Sequence, residues 1–199
     1  GFWSIVLRGF GDVRPEYVIC CFDVGRSFRA DLYSGYKGTR RPTPDDLRDQ
    51  FPIVRETLAA FGIPVYEMAG FEADDIIATL AKRFAAEGME ITVVTGDKDL
   101  MQIVSDRVCL LDTMKGKRSR EAEVIERFGV PPRQVLEVLG LAGDTSDNIP
   151  GVRGIGPKTA QVMSALAISA PRDILFTLPH SGIDRHRRDS VSDAVLPEV

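Results

Sequence analysis

Four short apolar runs, at residues 17–22, 64–68, 91–95 and 108–111, constrain this chain more than any other feature. Each is rich in β-branched or other apolar residues and shows little polar alternation, the pattern of strands covered on both faces. Helical spacing separates them. Residues 45–61 carry Leu47, Phe51, Val54, Leu58 and Phe61 and end at Gly62. Residues 73–86 carry Ile76, Ile77, Leu80, Ala81 and Phe84 and end before Gly88. Strands alternating with helices predict an α/β fold with a mostly parallel sheet and flanking helices. Right-handed crossovers then bring the strand C-termini to one edge, where open α/β sheets bind ligands.

After residue 130 the strand pattern stops. Pro131, Pro132 and the run to Leu141 predict a helix with proline near its start. A Gly- and Asp-rich stretch follows, then a helix over residues 157–166. The end of the chain is polar and rich in Asp, Arg and Ser. The expected organisation is an α/β core over 1–129, a helical region over 130–178 and a polar tail over 179–199. A chain of 199 residues with 44% hydrophobic content supports one sizeable core, or a core with a small satellite.

The acids collect where the predicted strands end. Asp23 follows the first. Glu72, Asp74 and Asp75 follow the second, in Gly-Phe-Glu-Ala-Asp-Asp. Asp97 and Asp99 follow the third, in Thr-Gly-Asp-Lys-Asp. Asp144 and Asp147, in Gly-Asp-Thr-Ser-Asp-Asn, come from the helical part and are placed to close the cluster. One Asp after a strand is ordinarily a turn residue or a helix cap, and acids at a helix start favour the macrodipole. Four groups on one sheet edge imply more. Like charges a few ångströms apart oppose ionisation unless a cation joins them. Oxygen-only ligands point to Mg²⁺ or Mn²⁺ rather than zinc. Two such ions suit in-line displacement at a phosphodiester.

The net charge of −4 is a poor footprint for a protein that simply coats DNA, but clustered metal-binding carboxylates lower the net charge, and the ions they bind reverse the local field. The charges are also segregated. Residues 24–43 hold Arg26, Arg29, Lys37, Arg40 and Arg41 against the single acid Asp31, with Phe28, Tyr33 and Tyr36 interleaved. That mixture suits phosphate contact and base stacking on a single-stranded or distorted nucleic acid; alone, it equally describes a solvated basic loop. A second basic run is Lys115, Lys117, Arg118 and Arg120. Residues 151–160, Gly-Val-Arg-Gly-Ile-Gly-Pro-Lys-Thr-Ala, predict a Gly-x-Gly turn opening a helix, with backbone N–H groups and Lys158 offered to an anion. No apolar run approaches the roughly 20 residues that span a bilayer, so no membrane partner is expected. Cys20, Cys21 and Cys109 sit in apolar runs without zinc-type spacing and are expected to be buried, reduced thiols.

Taken in order, Phe-Asp23, Phe-Arg29, Tyr33-Ser-Gly-Tyr36-Lys37-x-x-Arg40, the Glu72–Asp75 and Asp97–Asp99 motifs, and the stretch from Asp144 to Ala160 resemble the 5′→3′ exonuclease domain of bacterial DNA polymerase I, which belongs with the flap endonucleases. The resemblance runs from about Gly1 to Met163. It implies the nuclease α/β (PIN-like) core and a helix-three-turn-helix. It implies one metal site at Asp23, Glu72, Asp74 and Asp75 and a second at Asp97, Asp99, Asp144 and Asp147. Lys37 and Arg40 would steer the scissile phosphate, with Arg29 nearby. Tyr33, Tyr36 and Arg41, and Gly151, Gly154, Gly156, Lys158 and Thr159 in the hairpin, would contact DNA. The implied cofactors are two Mg²⁺ or Mn²⁺ ions, with K⁺ at the hairpin. The implied substrates are DNA with a 5′ end or 5′ flap and RNA primer–DNA hybrids, for a monomer in the bacterial cytoplasm, associated with the nucleoid.

The sequence also departs from that family. The family begins with a strand bearing an Asp-Gly pair whose Asp is a first-site ligand, whereas this chain starts in the following helix. The resemblance fades after about residue 163. The expectation is therefore a truncated form, and two alternatives to an active 5′ nuclease stay open: a non-catalytic DNA-binding remnant, and a small RNA-cutting nuclease with a similar carboxylate sheet.

Overall fold

The computed structural model describes residues 1–166. The expected tail over 179–199 and the end of the helical region lie outside the described residues. Helix α1 (Phe2–Val13) ends at Arg14 in the left-handed conformation, just before Pro15. Strand β1 (Cys20–Cys21) and the short helix α2 (Arg29–Leu32) follow. Residues 45–61 form two helices, α3 (Asp45–Arg48) and α4 (Gln50–Ala60), where the sequence pattern predicts one. Pro52 explains the break, because it has no N–H to donate to the carbonyl of Arg48. Strand β2 (Val65–Tyr66) leads through Gly70 to α5 (Ala73–Ala86), which matches its expected range. Its capping box has Glu72 N–H donating to the Asp75 carboxylate at 2.9 Å.

Strands β3 (Ile91–Val94) and β4 (Val108–Asp112) flank a 3₁₀ turn over Asp99–Ile103. Among the elements not expected are the edge strand β5 (Lys117–Ser119) and helix α6 (Glu121–Phe128). The sequence of β5 is charged, as exposed edge strands often are, so it reads as a basic run. At 131–141 the double proline holds Pro131 in extended backbone, with a 3₁₀ turn over Pro132–Gln134, and α7 begins only at Val135 (Val135–Ala142). Two short bridging strands, β6 (Gly143–Asp144) and β7 (Ile149–Pro150), connect to α8 (Pro157–Ala165).

The hydrogen-bonded strands fall into separate sheets. Strand β1 pairs in parallel with β2, with Cys20 opposite Val65. Strand β3 pairs in parallel with β4, and β5 adds antiparallel. Helix α5 covers both parts. Ile76 and Leu80 pack with Ile19, Cys21, Tyr66, Met68 and Phe71. Ala78 and Ala81 belong instead to a larger cluster containing Val93, Leu100, Val108 and Leu110, which continues through Val124, Phe128, Val135, Leu139 and Ile149 to Ala160. The helical region therefore shares its core with β3 and β4. The three cysteines are free thiols; Cys109 is buried as expected, whereas Cys20 and Cys21 are only partly buried. No described helix is long and apolar enough to cross a membrane.

Candidate metal centre

The N-terminus of α5 is the foot of the site. Asp23, two residues beyond β1, accepts a hydrogen bond from Ala73 N–H at 2.6 Å, which ties the end of β1 to the first turn of α5. Glu72 caps that turn. Its carboxylate accepts from Lys37 Nζ at 2.7 Å and from the Tyr36 hydroxyl at 2.9 Å. Burial first, then the charges of Glu72 and Asp147, raise the Tyr36 phenol well above its ordinary range, so it remains a donor. Asp74 meets mainly like charge. Burial, followed by Asp97, Asp23 and Glu72, pushes its carboxyl up to about 7, and only Lys37 opposes this among the main influences.

Asp75 and Arg29 sit elsewhere than expected. Asp75 is 0% exposed and Arg29 3%. The guanidinium makes a bidentate pair with the carboxylate, at 2.7 Å to each oxygen. Burial acts against the Arg29 charge, but the hydrogen bond and charge of Asp75, then Glu72, more than compensate and hold it above its ordinary value. Asp75 was expected among the metal ligands and Arg29 near the scissile phosphate. In the structure Arg29 and Glu72 N–H together take three of the acceptor positions of the Asp75 carboxylate. Arg29 is shut inside with it.

The second side comes from the exit of β3. Thr95 Oγ1 accepts from Asp97 N–H at 3.0 Å and Asp97 accepts from Asp99 N–H at 2.9 Å, which fixes the turn. Lys98 Nζ donates to Asp99 at 3.1 Å and also to Asp144 on β6. Burial pushes Asp99 up to about 6, with Asp97 and Asp144 adding to this and Lys98 opposing it. Asp144 is buried, yet its bonds from Lys98 and from Ser146 N–H hold it below its ordinary value. Asp147 pairs with Arg40.

The donor set is all oxygen, which suits a hard divalent cation. Among the described residues, no three acid, His or Cys side chains already surround one point closely enough to hold a metal. Most of the acids are turned toward the protein's own cations instead. An ion entering here would have to draw Glu72, Asp144 and Asp147 away from Lys37, Lys98 and Arg40. Asp74 and Asp99, both raised, are the groups that gain most from such an ion.

The sequence profile described as "5'-3' exonuclease, N-terminal resolvase-like domain" matches residues 1–129, and that of "5'-3' exonuclease, C-terminal SAM fold" matches residues 130–165. The chain is 47% identical over 149 residues to DNA polymerase I of Rhizobium leguminosarum, covering 74% of this chain and 15% of that protein. It is 39% identical over 161 residues to a 5′-3′ exonuclease of Aquifex aeolicus, covering 80% and 56%. The chain belongs to the 5′-3′ exonuclease family. Its fold is that of the phage T5 5′-exonuclease solved with divalent zinc (TM-score 0.72, 22% identity, 97% of this chain and 75% of that one). It is also similar to the catalytic core of Rad2 in complex with DNA (TM-score 0.54, 22% identity, covering 82% and 50%). The chain spans 15% of the length of the first of these curated relatives and 56% of the second.

Within this family member the other expected residues divide clearly. Tyr36, Lys37 and Arg40 are assembled at the carboxylates, while Arg41 is exposed and Tyr33 half-buried. In the hairpin, Gly154 takes a φ of +85° and Gly156 precedes an α8 N-terminus that carries no side-chain cap; Lys158 and Thr159 in its first turn are exposed. Gly151 has a packing role, since a Cβ there would lie 2.3 Å from the backbone carbon of Ala142. Two residues escaped the sequence reading. Lys98 lies between two acids in a motif that drew attention to the acids alone. Asn148 follows Asp147, and nothing in its spacing announces its contact with Gly35.

Proposed function

We propose that this chain carries the active-site region of a structure-specific 5′ nuclease, which hydrolyses DNA phosphodiesters at 5′ ends and flap junctions. The observation that carries this reading is the gathering of acids from four chain segments around α5, with Lys37 and Arg40 held against them. Asp23, Glu72 and Asp74 form one ligand group and Asp97, Asp99, Asp144 and Asp147 the other. Two Mg²⁺ or Mn²⁺ ions held there would supply Lewis-acid stabilisation of the charge that develops on the phosphate. The residues of the chain do the rest. Lys37 and Arg40 exchange their carboxylate partners for the phosphate as it enters. Tyr36 stays protonated and keeps Glu72 oriented. The uncapped N-terminus of α8, with Lys158, holds backbone phosphates of the duplex without reading sequence; K⁺ at that turn belongs to the same reading.

Flap-bearing DNA and RNA primer–DNA hybrids are the proposed substrates, for a monomer acting in replication and repair in the bacterial cytoplasm. Cleavage of a 5′-flap duplex with Mg²⁺ or Mn²⁺, beside an Asp97→Ala/Asp99→Ala variant, tests the reading. Metal-dependent cutting near the junction that disappears in the variant supports it. A second reading is a DNA-binding chain without turnover, favoured by the pairing of Glu72, Asp144 and Asp147 with Lys37, Lys98 and Arg40. Flap binding without cutting at any metal concentration would establish that reading instead.

A further inference from the structure

The segment that carries Lys37 and Arg40 has little structure of its own. After α2 it runs as successive tight turns, with Tyr36 N–H donating to Tyr33 O, Gly38 N–H to Gly35 O, and Arg40 N–H to Lys37 O, at 2.9–3.0 Å. Its backbone is tied to the rest of the molecule through the loop between β6 and β7. Lys37 N–H donates to the carbonyl of Asp147 at 2.9 Å, and Asn148 Nδ2 donates to the carbonyl of Gly35 at 2.8 Å. Both partners are conformationally special. Lys37 has φ +54° and Asn148 has φ +57°, two of the three non-glycine residues with positive φ in the described structure. Side chains seldom accept this region; asparagine tolerates it best, and such outliers persist where the surroundings over-determine them. Here two of them face each other across a pair of hydrogen bonds, next to the Arg40–Asp147 ion pair.

We propose that Asn148 is a positioning residue: its left-handed backbone and its side-chain amide together fix residues 35–40, so that the loop between β6 and β7 sets where Lys37 and Arg40 stand over the carboxylates. The role given to Lys37 and Arg40 rests on the nuclease reading above; the clamp itself does not. Its chemistry is specific to asparagine. Glycine accepts the same φ but has no amide to donate. Aspartate tolerates the φ but cannot donate, and adds a negative charge beside Asp144 and Asp147. Alanine provides neither property.

The test combines amide hydrogen exchange across residues 33–41, in protein free of metal and DNA, with kcat and KM on a 5′-flap duplex. Asn148→Gly and Asn148→Ala should both speed exchange at Lys37 and Gly38 by roughly tenfold, the effect of one lost hydrogen bond to a partly buried carbonyl. The amides of α5 and β3 should keep their wild-type protection. The kcat/KM should fall by a similar factor, because a displaced phosphate grip loses orientation rather than chemistry. Wild-type exchange in Asn148→Gly would reduce the role to backbone tolerance and overturn the proposal. Loss of protection throughout α5 and β3 would make Asn148 a general stability residue and overturn it as well. If the wild-type chain does not cut flap DNA, the nuclease reading fails, and the exchange arm still decides the clamp.

Discussion

The two sides of the first turn of α5 treat adjacent acids in opposite ways. Asp75 points inward, fully buried, and is neutralised by a bidentate Arg29. Asp74 points toward Asp23, Glu72 and Asp97, where burial and like charge push it up to about 7. Successive helix residues diverge by about 100°, so one turn serves both sides. The inner side is satisfied and anchors α2 to α5. The outer side is electrostatically short of a cation. Neighbouring residues of the same type thus take different work, structural and chemical, and only their surroundings tell them apart.

The largest effects should come from breaking the inner side. Asp75→Asn or Arg29→Met alone should cost about 3–5 kcal/mol in urea unfolding, because each leaves a buried group without its partner. Replacing both, as Arg29→Met with Asp75→Leu, should restore most of that loss. Single variants within about 1 kcal/mol of wild type would deny the pair its anchoring role.

The outer side should show itself through pH. The folded-state pKa of Asp74 is raised from 3.8 to about 7, and that of Asp99 to about 6. Between those limits the folded chain holds protons that the unfolded chain has released, so stability in chelator should fall as pH rises from about 4 to about 7 and then level off. Asp74→Asn should leave only the Asp99 share of that slope and gain roughly 2–4 kcal/mol at pH 8 without metal. Thermal unfolding across pH, with and without Mg²⁺, measures both effects. A wild-type stability that rises over this window would contradict the pKa direction.

Lys98→Met should have a smaller effect. Losing the ammonium that joins Asp99 to Asp144 should destabilise the chelated protein by roughly 1–2 kcal/mol at pH 8, with Mn²⁺ recovering part of it. Smallest of all, Glu87→Gln at the exposed Arg83–Glu87 pair of the same helix should change stability by less than about 0.5 kcal/mol. A larger shift there would mean that surface charge, rather than the first turn, governs α5.

Much of this arrangement is legible in the sequence, for identifiable reasons. The range of α5 follows from its apolar spacing and its capping residues. β3 and β4 follow from uninterrupted apolar runs. The carboxylates could be collected because they follow strands. Other features depend on partners distant in the chain. Nothing near Asp75 says that Arg29, 46 residues earlier, will occupy it, and two adjacent acids look alike on paper. Strand β5 is hidden because edge strands carry charge, and the break at Asp49 follows from one missing N–H at Pro52. The division of the sheet depends on which strands find neighbours, and that is a property of the whole fold.

The most direct test of this account is Mn²⁺ binding by titration calorimetry to three proteins: wild type, Asp74→Asn, and the paired Arg29→Met/Asp75→Leu variant, each first shown to be folded. The account predicts that Asp74→Asn loses at least tenfold in affinity while the paired variant binds within about threefold of wild type. A paired variant that is folded but no longer binds Mn²⁺, or an Asp74→Asn variant that binds as wild type does, would contradict the division of labour between the two sides of α5.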